Sequence, residues 1–342
     1  MRTIYFTGKI VPRQPLTVIL KSAVSSSGHR LPRNGGPAAD PYFPGPSIRG
    51  ALRHAAHQVV VERVTAENNG VVPFDLADHF MLAQGVDIAD QAVLYRPGEI
   101  DAGVKIRAKN PLLSLFGRWK LTGKVGIGNA IPVGPGQWAM FDGGARTIMF
   151  ERDDSLIELL EPDQIARLNR LVTEQTDASV DIQSYRAEQA ALKKLLKTAD
   201  KDAAQDLRTE ISALDGKIKA RKAEKSEARE SIRRPVDPFE AFVAGAELKH
   251  QMFIKNVTDI EAGLFIAALI RFGYTPQLGS RCGNCGLVDA CWEVTSWKPG
   301  ELEPVSLSEF SITPHGIKIT GSEIKAMLKS FAESKDLDFR IY

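Results

Sequence analysis

The chain has 342 residues, 43% hydrophobic and 25% charged, which supplies a sizeable core and excludes wholesale disorder. Its three cysteines, Cys282, Cys285 and Cys291, are an odd number close together, which excludes a secreted disulfide framework. The net charge of +2 conceals a polarised chain: residues 1–60 hold Arg2, Lys9, Arg13, Lys21, Arg30, Arg33, Arg49 and Arg53 but only one acid, Asp40, and residues 105–124 hold Lys105, Arg107, Lys109, Arg118, Lys120 and Lys124 and no acid. Segregated positive charge is what a phosphate backbone selects, because each neutralised phosphate releases counterions. No apolar run approaches the length of a membrane span, and the N-terminal stretch has no continuous apolar core or small-residue cleavage site. A cytoplasmic protein with no membrane partner is expected.

Residues 2–24 read as strand material, with Ile4 and Phe6, then Leu16, Val18 and Leu20, alternating with polar positions. Ser25–Pro46 is rich in Gly, Pro and Ser and reads as a long functional loop. Ser47 is expected to cap the helix that follows, whose apolar stripe is Ile48, Leu52, Ala55, Ala56, Val59 and Val60. Arg49 and Arg53 lie one turn apart on another face, so the helix start is a candidate anion site. Val71–Met149 reads as short strands and loops.

Between Glu161 and Arg234 the character changes, with no proline after Pro162 and Gly216 as the lone glycine. Pro162 suits a first helical turn, followed by Ile165, Leu168, Leu171 and Val172. A second stripe, from Ile182 and Gln189 through Leu192, Leu196, Ala199, Ala203, Leu207, Ile211 and Leu214 to Ile218, predicts a helical hairpin turning near Thr198–Asp202. Beyond Pro238, Glu247–Ile254 reads as a strand and Asp259–Phe272 as a helix. A glycine-rich loop, Gly279–Gly286, leads into the apolar–polar run Leu287–Val294, and Ser322–Ser330 reads as a closing helix. The whole reads as an α+β core divided by a helical insert.

Cys282-x-x-Cys285 with Cys291 is a partial zinc pattern lacking a second close pair, so no metal is expected. His54-x-x-His57 reads as ordinary helix surface. Gly117–Lys124 has the wrong spacing for a phosphate-binding P-loop, and no nucleophile motif is present, so neither a cofactor nor a catalytic residue is assigned.

Several separated stretches together resemble the CRISPR RAMP superfamily. Pro41-Tyr-Phe-Pro-Gly-Pro-Ser-Ile-Arg-Gly-Ala-Leu-Arg53 is similar to its proline-glycine signature. Leu115-Phe-Gly117 with Gly126–Ala130, Val243-Ala-Gly-Ala-Glu-Leu248, and Leu278–Gly286 are similar to its later motifs, in the same order. The nearest resemblance is to the backbone subunit of type IV effector complexes, with type III backbone subunits as near relatives. It implies a modified ferredoxin-like (RRM-type) palm with a long α-helical insertion and a thumb-like projection. The expected boundaries are 1–159 for the first part of the palm, 160–234 for the insertion and 235–342 for the rest of the palm.

The resemblance also implies many side-by-side copies on one guide RNA, other CRISPR effector subunits as partners, and pairing with a target nucleic acid, DNA being favoured. Candidate RNA contacts are His29, Arg30 and Arg33 in the loop; Ser47, Arg49 and Arg53 at the helix start; Lys109, Arg118, Lys120 and Lys124 along a groove; and Arg281 in the glycine loop. Related type III subunits cleave with an acid in the loop before the signature, where Ser25–Pro44 offers only Asp40. Two alternatives remain at this point: a guide-precursor ribonuclease using His29 as general acid or base, and a coiled-coil adaptor whose active part is residues 161–231.

Overall fold

The computed structural model describes residues 1–18, 24–25, 28–36, 38–88, 100–142, 145–146, 160–196, 201–223, 234–235, 238–279 and 285–342. The chain divides into two compact units, Met1–Phe141 with Pro238–Tyr342, and Asp142–Asp237. The first is a mixed helix and antiparallel-sheet unit, so the chain is of the α+β class. No helix among the described residues is long and apolar enough to cross a membrane.

The main sheet is built on β1 (Arg2–Pro12), which pairs antiparallel with both β10 (Leu248–Val257) and β11 (Val288–Trp297). Beyond β11 lie β12 (Val305–Thr313) and β13 (Gly316–Ile319); beyond β10 lie β4 (Val125–Ile127) and β5 (Ile131–Pro132). The period of two decides the faces. Ile4, Phe6 and Ile10 of β1, Met252 and Ile254 of β10, and Trp292 and Val294 of β11 point into one core, while Thr7, Lys9, Lys249 and Glu293 face water on the other side.

Helices cover the inner face. Helix α1 (Gly45–Glu67) inserts Ile48, Leu52, Ala55, Ala56 and Val60, as its periodicity requires. It does not start at Ser47. The N-cap is Pro44, and Ser47 is the third helical residue, its N–H donating to the Pro44 carbonyl at 3.0 Å. Pro46 fits the first turn, where its missing N–H costs nothing, and this moves the cap three residues upstream.

The region read as strands and loops holds three helices, α2 (Leu76–Gln84), α3 (Ile100–Lys109) and α4 (Pro111–Phe116). Each is short, and every residue of α4 is buried, so no periodicity signals it; its sequence signal is the Asn110 cap followed by Pro111. After the short strands β6 (Trp138–Phe141) and β9 (Phe239–Phe242), which pair with each other, comes α7 (Asp259–Tyr274). It is capped by Thr258 and Glu261 and packs Leu264, Phe265, Ala268 and Leu269 inward. Helix α8 (Ser322–Glu333) adds Ile324, Met327 and Phe331 to the same core.

The second unit is a helical hairpin of α5 (Pro162–Leu195) and α6 (Lys201–Ala223), with a short pair formed by β7 (Ala145–Arg146) and β8 (Arg234–Pro235). Ala178, Ile182, Leu214 and Ile218 bury its seam. Gln189 donates to Asp215 at 2.7 Å and Arg221 pairs with Asp181 at 2.9 Å, which fixes the two helices antiparallel. Much of the predicted turn lies outside the described residues.

Candidate nucleic-acid interface

Three segments far apart in sequence meet beside the start of α1. Phe43 and Ala130 exchange backbone hydrogen bonds at 2.8 and 2.9 Å, and the Gly45 N–H donates to the Asn129 Oδ1 at 2.9 Å. Gly45 lies so close to β4 that a Cβ there would stand 2.4 Å from the Ile127 carbonyl oxygen. From the C-terminal part of the chain, Gly279 abuts the Phe43 ring and the Thr17 carbonyl, in the left-handed region at φ +65°. The Gly245 N–H donates to the Pro12 carbonyl at 2.7 Å, tying the Val243–Ala246 turn to the end of β1.

On α1, Arg49 donates to the Phe116 carbonyl. Arg53 is buried and donates to the carbonyls of Leu82 (2.8 Å), Met81 (2.8 Å) and Gly117 (2.9 Å). Its face, which lies apart from the apolar stripe, is covered by α2. Burial first, and the Arg49 charge second, pull its pKa down to about 10. Arg53 thus clamps α2 and the end of α4 to α1, while a groove along the first turns of α1 is lined by Gly45, Arg49, Gly50, Gln84 and Ile127.

The loop before α1 is also closed by an internal pair. Arg33 donates to the Glu240 Oε2 at 2.7 Å, to the Ala39 carbonyl at 2.9 Å and to the Leu31 carbonyl at 3.1 Å. Burial works against the Glu240 carboxylate. Hydrogen bonds from Arg33 and the Leu31 N–H, with the charges of Arg33 and Arg30, outweigh it and hold the pKa below the ordinary value. Arg33 moves upward, chiefly through its hydrogen bond to Glu240. His29 sits on β3 (Gly28–His29), which pairs antiparallel with β2 (Val24–Ser25) and parallel with β9 at Phe239, and Arg30 next to it is exposed.

Lys124 reaches across to Glu261 on α7 at 2.7 and 2.8 Å, where the same buried carboxylate accepts the Ser114 hydroxyl. Arg118 and Lys120 lie on a turn directly after α4, and Lys109 at the end of α3 is half-buried. The structure therefore places the candidates in two groups. His29, Arg30 and Arg33 lie by β9; Ser47, Arg49, Arg53, Arg118 and Lys120 lie around the start of α1 and the end of α4, with Lys124 following. The segment 41–46 joins the groups. Arg281 and Cys282 lie outside the described residues.

Glu240 and Glu261 were not signalled by the sequence, because nothing in a single carboxylate's local spacing says which distant base it will bury. His57 is not helix surface. It is packed against α2 with its Nε2 2.9 Å from the Nδ1 of His79, and burial first, then the charges of His79, His54 and Arg53, lowers its pKa to about 4. Cys285 is buried, and Cys291 donates to Glu309 at 3.2 Å.

No family model matches this chain, and no curated protein matches it. Among solved structures it is similar to a chain of a Type IV-B CRISPR complex, at 11% identity and a TM-score of 0.38, over 89% of this chain and 94% of that one.

Proposed function

We propose that this chain is a non-catalytic, guide-RNA-binding backbone subunit of a type IV-like CRISPR effector complex, built on a ferredoxin-like palm with a helical insertion. The observation that supports this reading is the convergence just described. Segments 41–53, 115–130 and the start of 278–286, which together with 243–248 resemble the RAMP superfamily, pack against one another at one place, and 243–248 is tied to the end of β1. Basic side chains line that place, and single-stranded RNA is held through its phosphates and 2′-OH groups with bases left free to pair. Arg30, Arg49, Arg118 and Lys120 are the contacts assigned to phosphates. In this reading further copies of the chain stack along the same RNA, each adding a protein interface to its phosphate contacts.

The test is direct. The protein purified from an expression host without nuclease treatment should carry RNA, seen as a raised ratio of absorbance at 260 to 280 nm, and should elute as RNA-dependent oligomers. Its affinity for single-stranded RNA should fall steeply with salt, and each of Arg30→Ala and Arg49→Ala should reduce that slope by about one contact. A protein that carries no RNA and binds it no better than an acidic control protein sinks the reading.

A further inference from the structure

Between Gly117 and Lys124 the chain makes a tight turn whose tip is an indole in water. Arg118 and Leu121 exchange both backbone hydrogen bonds, at 3.0 and 2.9 Å, around the two-residue tip Trp119-Lys120. Trp119 is 79% exposed, whereas Trp292 is 2% exposed and Trp297 is 37% exposed. Leaving a side chain of that size in water forgoes the stabilisation its burial brings.

The turn beneath it is tightly fastened. Arg49 donates to the Phe116 carbonyl and Arg53 to the Gly117 carbonyl at 2.9 Å; Arg107 donates to the Thr122 carbonyl at 2.6 Å, and the Lys124 N–H to the Ser114 carbonyl at 3.1 Å. Gly117 has φ 68° and ψ 178°, a conformation open essentially to glycine alone, and a Cβ on it would stand 2.4 Å from the Leu121 carbonyl oxygen. Lys120 occupies the left-handed region at φ +66°, where glycine or asparagine would be the undemanding choice. The fold thus holds an exposed aromatic ring on a stiff mount and keeps a lysine where the backbone prefers glycine.

We propose that Trp119 is a stacking platform for one unpaired base of a single-stranded nucleic acid, whose phosphates run past Arg118, Lys120 and the basic end of α3. The occupant follows from charge. Residues 105–124 contain six bases and no acid; Lys124 is matched to Glu261, the charge of the other five calls for an anionic partner, and among anionic polymers only a nucleic acid also presents flat apolar faces. A single ring per chain takes one base and leaves its neighbours free to pair. This inference rests on the RNA-binding reading above and adds to it a contact that no phosphate can make.

The experiment compares a fluorescently labelled uridine homopolymer with the same strand carrying abasic sites, by anisotropy over a salt series. Trp119→Ala should weaken binding of the intact strand by about 5- to 150-fold, the range set by one stacked base. Its salt slope should not change, because no phosphate contact is lost. Trp119→Phe should recover most of the affinity, and the abasic strand should bind wild type and Trp119→Ala alike. Since the side chain is exposed, the thermal midpoint of Trp119→Ala should match that of wild type. If wild type binds RNA and Trp119→Ala binds it equally well, this inference fails and the RNA-binding reading stands. If wild type binds neither strand, both fail. If Trp119→Ala instead weakens self-association without touching RNA affinity, the indole is a protein contact and the inference is overturned.

Discussion

At the residue scale, Arg33 and Lys124 show how a basic side chain can be drawn inward. Each is matched to a buried carboxylate, Glu240 and Glu261, and each pair joins segments remote in sequence. Removing one partner of such a pair strands the other charge without water. Arg33→Met should therefore destabilise the fold by about 3–5 kcal/mol, while Arg33→Met with Glu240→Leu should recover most of the loss, as urea denaturation would show. The histidines make a second prediction. His57 and His250, the latter 1% exposed with its Nδ1 accepting the Trp292 indole N–H at 3.1 Å, are both held near pKa 4 by burial above all. The unfolded chain takes up protons on these rings below about 6.5, before the folded chain does. Stability is thus fully present above pH 6.5 and declines as pH falls from there towards 4. His57→Gln and His250→Gln should each flatten part of that decline in denaturation midpoints measured between pH 7 and 5.

At the element scale, two glycines in helices carry opposite expectations. Gly263 of α7 meets α8 so closely that a Cβ would stand 2.1 Å from the Met327 carbonyl oxygen, and Gly263→Ala must push the helices apart, at a cost of about 1–3 kcal/mol. Gly50 of α1 is exposed with open space where its Cβ would be, so Gly50→Ala should stabilise by about 0.5–1 kcal/mol through helix propensity. It also lines the groove beside Arg49, so the same change should weaken RNA binding if the RNA backbone approaches there. Thermal melts and anisotropy on the two variants check both signs. The long helices were legible in the sequence because their stripes repeat over many turns, as in Ile48–Val60 and Ile182–Ile218. The helices α2 to α4 were not, since a few turns bounded by Gly, Pro and Asn look the same as loop. Arg53 is a related case: the pattern shows a second face on α1, but not that α2 lies across it.

For the whole molecule, the way the hairpin unit joins the main unit decides what can be removed. Phe141 and Phe239 are cross-strand partners with stacked rings 5.6 Å apart, so the chain leaves and re-enters the main unit at neighbouring positions. Replacing 143–236 by a short glycine-containing turn should leave a folded protein with a cooperative melt that still binds single-stranded RNA. Loss of RNA binding in a well-folded excision variant would shift the function to the hairpin, as an adaptor would require. The basic groups themselves were legible as runs of charge in the sequence. Their division was not, because which bases meet a carboxylate inside the fold depends on contacts such as Lys124 with Glu261, more than a hundred residues apart.

The position of β1 at the centre of the sheet sets a timetable for synthesis. Its partners run from Leu248 to Val257 on one side and from Val288 to Trp297 on the other, so β1 waits for strands made long after it. At ordinary elongation rates the ribosome needs on the order of 15–60 s to pass from β1 to the end of β11. Until β10 is made, which takes most of that interval, Ile4, Phe6 and Ile10 have no sheet to enter, whereas the α5–α6 hairpin, whose contacts are local, can close as soon as Ala223 has emerged. The nascent chain therefore folds from its middle outward, and it spends most of its translation presenting an unpaired apolar strand to whatever else is in the cell.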